Sequence, residues 1–227
     1  MFYRPGIDGH GLPHDPFKAI VAPRPIGWIA TIDAEGRANL APYSFFNAVA
    51  DRPPMVMYSS NGAKPGLGEG KDSLANIRET GEFVANIVSF ALRDRMNLSS
   101  GHYPAGEDEF ARAGLTPLPS RVVRPPRVGE APAALECRAW KIVELPGEAN
   151  VMVIGEVVGV HIDDAMLADG RLDVTRYMPL ARLGYRDYAA VREVFALDRP
   201  GQRQAAGPGR EAAGPGREAA GPDRQSG

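Results

Sequence analysis

A chain of 227 residues with 44% apolar content is long enough to bury a sizeable core, which excludes a wholly disordered protein. With 26 basic and 28 acidic residues the formal net charge is -2, so no broad basic field points to nucleic acid. No apolar run reaches the roughly 18 residues of a membrane helix and no N-terminal segment suits secretion, so no membrane association is expected and the cytoplasm is the expected location. The lone Cys137 forms neither an internal disulfide nor a clustered zinc site.

Residues 1–14 read as an irregular arm, interrupted by Gly6, Gly9, Gly11 and Pro13. His10 and His14 are four apart, but Pro13 between them removes a preformed helical metal pair. Asp15 and Pro16 begin a short helix that is expected to turn Phe17 and Ile20 to the core. Ile26 to Ile32 is a strand with Trp28 in the core, and Asp33-Ala34-Glu35-Gly36 is the turn before a returning strand. The stretch from Asn39 to Asn47 is too polar for a plain core strand and too aromatic for a solvent loop. Pro42 predicts an edge, bulge or bend there, a setting able to hold an aromatic ligand. Phe45 and Phe46 point to opposite faces of a strand, so at least one belongs to the core.

Met55 to Tyr58 is the next strand, ending in Ser59-Ser60-Asn61-Gly62, whose hydroxyls and tight bend are compatible with an anion and also common in ordinary turns. Gly62, Gly66, Gly68 and Gly70 lack the dinucleotide-binding spacing, which argues against a Rossmann unit. Asp72 or Ser73 caps a helix over Leu74–Thr80, with Leu74 and Ile77 on one face and Gly81 at its end. The free N–H groups at that start and the Lys71 ammonium both favour a phosphate. In Glu82 to Val88, Phe83, Ala85 and Ile87 face one side and Val84, Asn86 and Val88 the other.

Leu92 to Leu98 is a short amphipathic helix, followed by a loop containing His102, around which no nucleophile and carboxylate form a hydrolase motif. Asp108 or Glu109 stabilises a short helix in DEFARAG, with Phe110 as a core anchor, and prolines make 115–132 an intradomain connection. Ala134–Val143 and Val151–Ile162 form a hairpin about Pro146-Gly147, with Cys137 in buried packing. His161, Asp163 and Asp164 lack complete metal spacing and read as a strand-end hydrogen-bond network. Val191–Phe195 is the expected last element. Beyond it, AAGPGRE, AAGPGRE and AAGPDRQ repeat every seven residues, so 198–227 reads as a disordered tail or weak adapter behind a domain over 15–197.

The ordered set PRPIGW, DAEG, NLAPYSFFNAV, RPPMVM, KDSLANIRETGEFVANIV, DEFARAGLTPLPS, APAALECR and LARLGYRDY resembles the flavin reductase-like family of FMN-binding split barrels, over roughly residues 15 to 196. The resemblance implies a mainly β fold, a six-stranded antiparallel barrel with peripheral helices, one FMN per subunit, and a homodimer with the cofactor near its interface. It places the KDS segment at the flavin phosphate, with Lys71 and Ser73 as contacts and Asp72 capping the helix or orienting Lys71. Arg24 serves the flavin phosphate or pyrimidine edge, or else an ion pair. Thr31, Asn39, Tyr43, Ser44 and Asn47 suit the ring edge and ribityl chain, and Ser59 and Ser60 the anion end. Arg182, in the late cofactor-side segment, contacts the flavin or supports its pocket.

The resulting expectation is an NAD(P)H-dependent flavin reductase without a dedicated side-chain base, passing electrons to free flavin or another small acceptor, or to a partner oxygenase or electron-transfer protein. An FMN-binding electron carrier and a cofactor-free structural dimer are the competing classes.

Overall fold

Behind Pro16 the irregular arm gives way to a single helical turn, α1 (Phe17–Ile20), whose side chains do not enter the core as expected. Phe17 and Ile20 are 53% and 72% exposed. A helix of four residues has no second turn with which to bury a face, and α1 is seated instead through Ala19. A side chain on Gly184 would meet the Ala19 Cβ at 2.4 Å. The computed structural model describes residues 1–62, 72–101, 103, 107–198 and 200.

Next come β1 (Arg24–Pro25), β2 (Gly27–Ile32), β3 (Ala38–Tyr43), β4 (Phe46–Asp51) and β5 (Pro54–Ser60). Gly36, at φ +83°, lets its N–H reach the Asp33 carbonyl at 3.1 Å and close the β2–β3 turn. Helix α2 (Asp72–Thr80) ends at Gly81, whose φ of +71° brings its N–H to the Ile77 carbonyl at 2.9 Å. Strand β6 (Glu82–Ile87) leads through a 3₁₀ turn at Phe90–Leu92 into α3 (Arg93–Leu98). In α4 (Glu109–Arg112) the cap is Asp108, which accepts the Phe110 and Ala111 N–H groups. Two short strands, β7 (Pro117–Leu118) and β8 (Arg127–Val128), interrupt the proline-rich connection.

The long hairpin β9 (Ala133–Glu144) and β10 (Val151–Ile162) is followed by β11 (Leu167–Ala168), β12 (Arg171–Leu172), α5 (Val174–Tyr177), β13 (Leu180–Arg182) and β14 (Tyr188–Ala190). Among the described residues the final element is therefore β14. Residues 191–195, expected to form it, are irregular and largely exposed.

Among the described residues the main sheet has seven antiparallel strands, in the order β3-β2-β6-β9-β10-β5-β4, rather than six. The additional strand is β4, carved from the mixed polar and aromatic stretch. The opposite edge, β3, is joined to it by Ser44 and Phe45 alone, so the sheet curls back and brings β3 against β5. At this seam the Tyr43 ring of β3 meets the Tyr58 ring of β5 with centroids 4.6 Å apart, and a 2.8 Å bond from the Ser59 N–H to the Phe45 carbonyl carries the β5–β4 pairing into the connecting residues. Register shifts at Ile154/Gly155 and Val157/Gly159 add the local twist that this curl requires.

Strands β2 and β6 carry a core on each face. Trp28, Ala30, Val84 and Val88 pack with Met96, Phe110, Val128 and Leu180. On the other face Ile29, Phe83 and Ala85 pack with Tyr43, Tyr58, Leu74, Ile77 and Val153. The alternation read in β6 is thus the division between the two cores, and all six residues of β2 are buried. Trp28 uses its indole N–H on the Ser99 hydroxyl at 2.8 Å. Trp140 departs from this pattern at 63% exposure, because β9 runs past both cores.

Candidate functional site

The strand alternation that builds the second core also delivers polar side chains to its rim. Thr31 and Asn39 are Cα partners across β2 and β3, Tyr43 lies farther along β3, and Ser60 ends β5. Helix α2 packs over this rim with Ser73 and Asn76 buried. Asn39 Nδ2 donates to Ser73 Oγ at 2.8 Å, and Asn76 Nδ2 donates to Thr31 Oγ1 at 3.0 Å. The Tyr43 hydroxyl meets the Ser60 and Ser73 hydroxyls. Burial pushes its pKa up to about 12, Asp72 and Glu109 add to the rise, and the two serines oppose it. These groups sit at the start of a nine-residue helix whose first-turn N–H groups have no intrahelical acceptor.

The site thus gathers Thr31, Asn39, Tyr43, Ser60, Asp72 and Ser73 from positions up to 42 residues apart. Ser44 and Ser59 are half-buried at the seam between β3 and β5. Asn47 stands exposed on β4, its Oδ1 accepting the Ala48 N–H at 3.0 Å. Lys71, expected at the phosphate, lies outside the described residues, as does His102.

Arg24 and Arg182 sit on the β1–β13 pair, with the Arg24 guanidinium 5.7 Å from the Phe45 ring centroid. They face one another across β1 and β13, and both guanidiniums are engaged within the chain. Arg24 donates to the Lys18 and Val21 carbonyls and, at 2.7 Å, to that of Leu183. Arg182 donates to the Tyr188 hydroxyl and, at 2.5 Å, to the Tyr185 carbonyl. As placed, Arg24 ties α1 to the turn after β13, and Arg182 braces that turn. Burial pushes the Arg24 pKa down, with the Arg182 charge second.

Two buried acids carry no local sequence signal for their partners. Glu109 lies 8% exposed, and its Oε2 accepts the Leu40 N–H at 3.2 Å. Since β3 is a sheet edge, this carboxyl covers a backbone donor that has no strand neighbour. Burial pushes the Glu109 pKa up, the Leu40 amide opposes, and Asp72 and Asp108 add to the rise. Glu136, fully buried on β9, accepts the N–H groups of Arg121, Val122 and Val123 at 2.7, 2.6 and 3.1 Å and meets His161 Nε2 at 2.5 Å. Burial alone would push this carboxyl up, but the three amides and His161 together bring it below its ordinary value. His161 therefore belongs to a hydrogen-bond network at the far end of β10. Among the described residues no group of three His, Cys, Asp or Glu side chains is placed to hold a metal ion.

A separate cleft of about 530 Å³ opens between α3 and β14. Phe90 lines it, with the Arg93 and Arg192 guanidiniums 4.4 and 4.8 Å from its ring centroid.

A curled antiparallel barrel with a buried hydroxyl and amide group at a helix start defines a split-barrel flavoprotein class. The chain belongs to the flavin reductase like domain family, whose model matches residues 21–182. It is thereby a flavin-related oxidoreductase. Among its relatives is an uncharacterized protein of Aquifex aeolicus, 40% identical over 172 residues that make up 74% of this chain and 85% of the relative. The fold is similar to that of nitrilotriacetate monooxygenase component B from Bacillus cereus, with TM-score 0.79 and 31% identity over 87% of this chain and 98% of that one. It is also similar to 2-nitrobenzoate 2-nitroreductase from Pseudomonas fluorescens, with TM-score 0.72 and 30% identity over 84% of this chain and 92% of that one. No helix among the described residues is long and apolar enough to cross a membrane.

Proposed function

We propose that the protein is an FMN-dependent oxidoreductase that takes hydride from NAD(P)H and passes electrons to a small acceptor or a partner oxygenase. The observation that carries the reading is the buried group of Asn39, Tyr43, Ser60 and Ser73 at the start of α2. Burying four polar side chains in one place is costly unless their donors and acceptors are used. Hydroxyls of serine and tyrosine both donate and accept, so they turn readily to an anion, and the helix start adds backbone donors. This donor set fits a flavin phosphate.

In this reading Ser73 and the first turn of α2 hold the phosphate, with Lys71 supplying charge and Asp72 orienting that end. Asn39 holds Ser73 in place, Asn76 fixes Thr31, and the deeply buried Tyr43 remains a protonated hydrogen-bond partner across the neutral range. Ser44 and Ser59 stand beside this group and border the flavin, and Asn47, exposed on β4, reaches it from outside. When bound, FMN supplies two-electron acceptance from a nicotinamide and return of those electrons to an acceptor. No side-chain base is required. Likeness to a monooxygenase component supports a partner oxygenase, and likeness to a nitroreductase supports a small aromatic acceptor. A homodimer fits the exposed edge strand β4 and Trp140.

Purified protein is expected to bind FMN near one equivalent per subunit, and NAD(P)H to bleach the oxidised flavin band under anaerobic conditions. Stoichiometric FMN without bleaching would move the assignment to an electron carrier. Failure to bind FMN would reject the reading.

A further inference from the structure

We propose that Glu109 is a specificity-determining residue at this site: the charge on its side chain sets how strongly a phosphorylated flavin is preferred over an unphosphorylated one. The inference rests on the placement of the phosphate beside Ser73.

Glu109 is not needed as the cap of α4, because Asp108 already accepts the Phe110 and Ala111 N–H groups. Its carboxyl turns instead to β3, onto the N–H of Leu40, next to the Asn39 that donates to Ser73. Among the described residues the groups that act on it electrostatically are acidic or neutral: the Tyr43 hydroxyl from β3, Asp72 from α2, and Asp108 from its own turn. Arg112, the cation on the same helix, is paired with Glu107. Among the described residues no cation forms an ion pair with Glu109. An ionised Glu109 therefore opposes an anion at Ser73, whereas the protonated acid does not.

Reciprocity fixes the sign. An anion repelled by the Glu109 carboxylate makes that carboxylate harder to form, so phosphate binding and protonation of Glu109 favour one another. Burial and the neighbouring acids already hold this carboxyl above the ordinary glutamate range, so it is ionised at alkaline pH and takes its proton as pH falls. The preference for FMN over riboflavin is then held back at alkaline pH and released on acidification.

The experiment measures FMN and riboflavin affinity by flavin fluorescence at pH 8 and pH 5 for the wild type and Glu109→Gln, which keeps a carbonyl for the Leu40 N–H. At pH 8 the variant is expected to bind FMN about three- to tenfold more tightly than the wild type, the change given by half to one pK unit of coupling. The gap is smaller at pH 5 than at pH 8, and riboflavin shows no gap at either pH. Comparing the two proteins cancels the titration of the FMN phosphate itself. Equal FMN-to-riboflavin ratios in folded wild type and variant at both pH values overturn the proposal. Should the variant not fold, calorimetry of the wild type in buffers of different ionisation enthalpy replaces it. Proton uptake with riboflavin 5′-sulfate, whose anion does not titrate in this range, and none with riboflavin is the expected result; no uptake with either overturns it. Ser73→Ala separates the two readings. If it weakens FMN and riboflavin equally, the phosphate placement falls and this inference with it. If it weakens FMN selectively while Glu109→Gln keeps the wild-type ratio, this inference alone falls.

Discussion

At the scale of single residues, the strongest polar commitment lies outside the candidate site, at Glu136. A carboxylate out of water is costly, and this one is compensated by three backbone N–H groups and His161. Those donors come from the proline-rich connection, so the acid holds residues 121–123 against β9. Glu136→Gln turns an amide N–H₂ toward N–H donors and is expected to destabilise by about 2–4 kcal/mol, as when one partner of a buried charged network is lost. The pH dependence has a definite sign. The folded carboxyl is depressed below its unfolded value, so its contribution is present above the ordinary glutamate pKa, about 4.3, and is lost as pH falls through the lower folded value. Urea unfolding at a series of pH values should show a shallower loss of stability on acidification in Glu136→Gln than in the wild type. Parallel acid limbs would contradict this role.

At the scale of elements, glycines in the strands set how tightly the barrel curls. A Cβ at Gly155 on β10 would stand 2.5 Å from the Phe83 ring, and one at Gly27 on β2 would stand 2.5 Å from the Phe46 ring. Phe83 is fully buried and meets the edge of Tyr58 at 5.9 Å, so it has no free direction in which to yield. Gly155→Ala is therefore expected to cost about 1–3 kcal/mol, the usual range for overpacking, with a lowered thermal midpoint. An unchanged midpoint would mean that β10 can shift at its bulge. Helix α2 shows how propensity and packing divide the labour. Its extent is readable from Asp72, the Leu74 and Ile77 spacing, and Gly81, whereas its seat over Thr31 depends on Asn76 and on the rim of β2 and β3.

At the scale of the whole molecule, the unit from Met1 to Val194 contains both cores and every described residue of the site. The repeats after Leu197 carry too little apolar surface to build a core of their own. A chain ended after Asp198 is expected to keep its thermal midpoint within about 2 °C, since the removed sequence has the polar, Gly- and Pro-rich composition that contributes little to a core. Flavin capacity is expected to be unchanged as well. A large fall in either would assign the tail a structural or binding role.

The sequence by itself determined the strands at β2, β5, β6, β9 and β10, the reach of α2, the split of β6 between two faces, and the ordered segments by which the family is recognised. These follow from local rules of period, caps and turns, which act over a few residues. The tertiary structure decided the seventh strand, the exposure of Phe17 and Ile20, the use of Arg24 on backbone carbonyls, and the burial of Glu109 and Glu136. Each depends on a partner far along the chain: Leu183 for Arg24, Leu40 for Glu109, and residues 121–123 with His161 for Glu136. A side chain's own neighbours in sequence do not encode which distant backbone groups are left without a strand partner. Closure of the sheet settles that, because only then is it known which N–H groups face an edge and which charges are taken out of water.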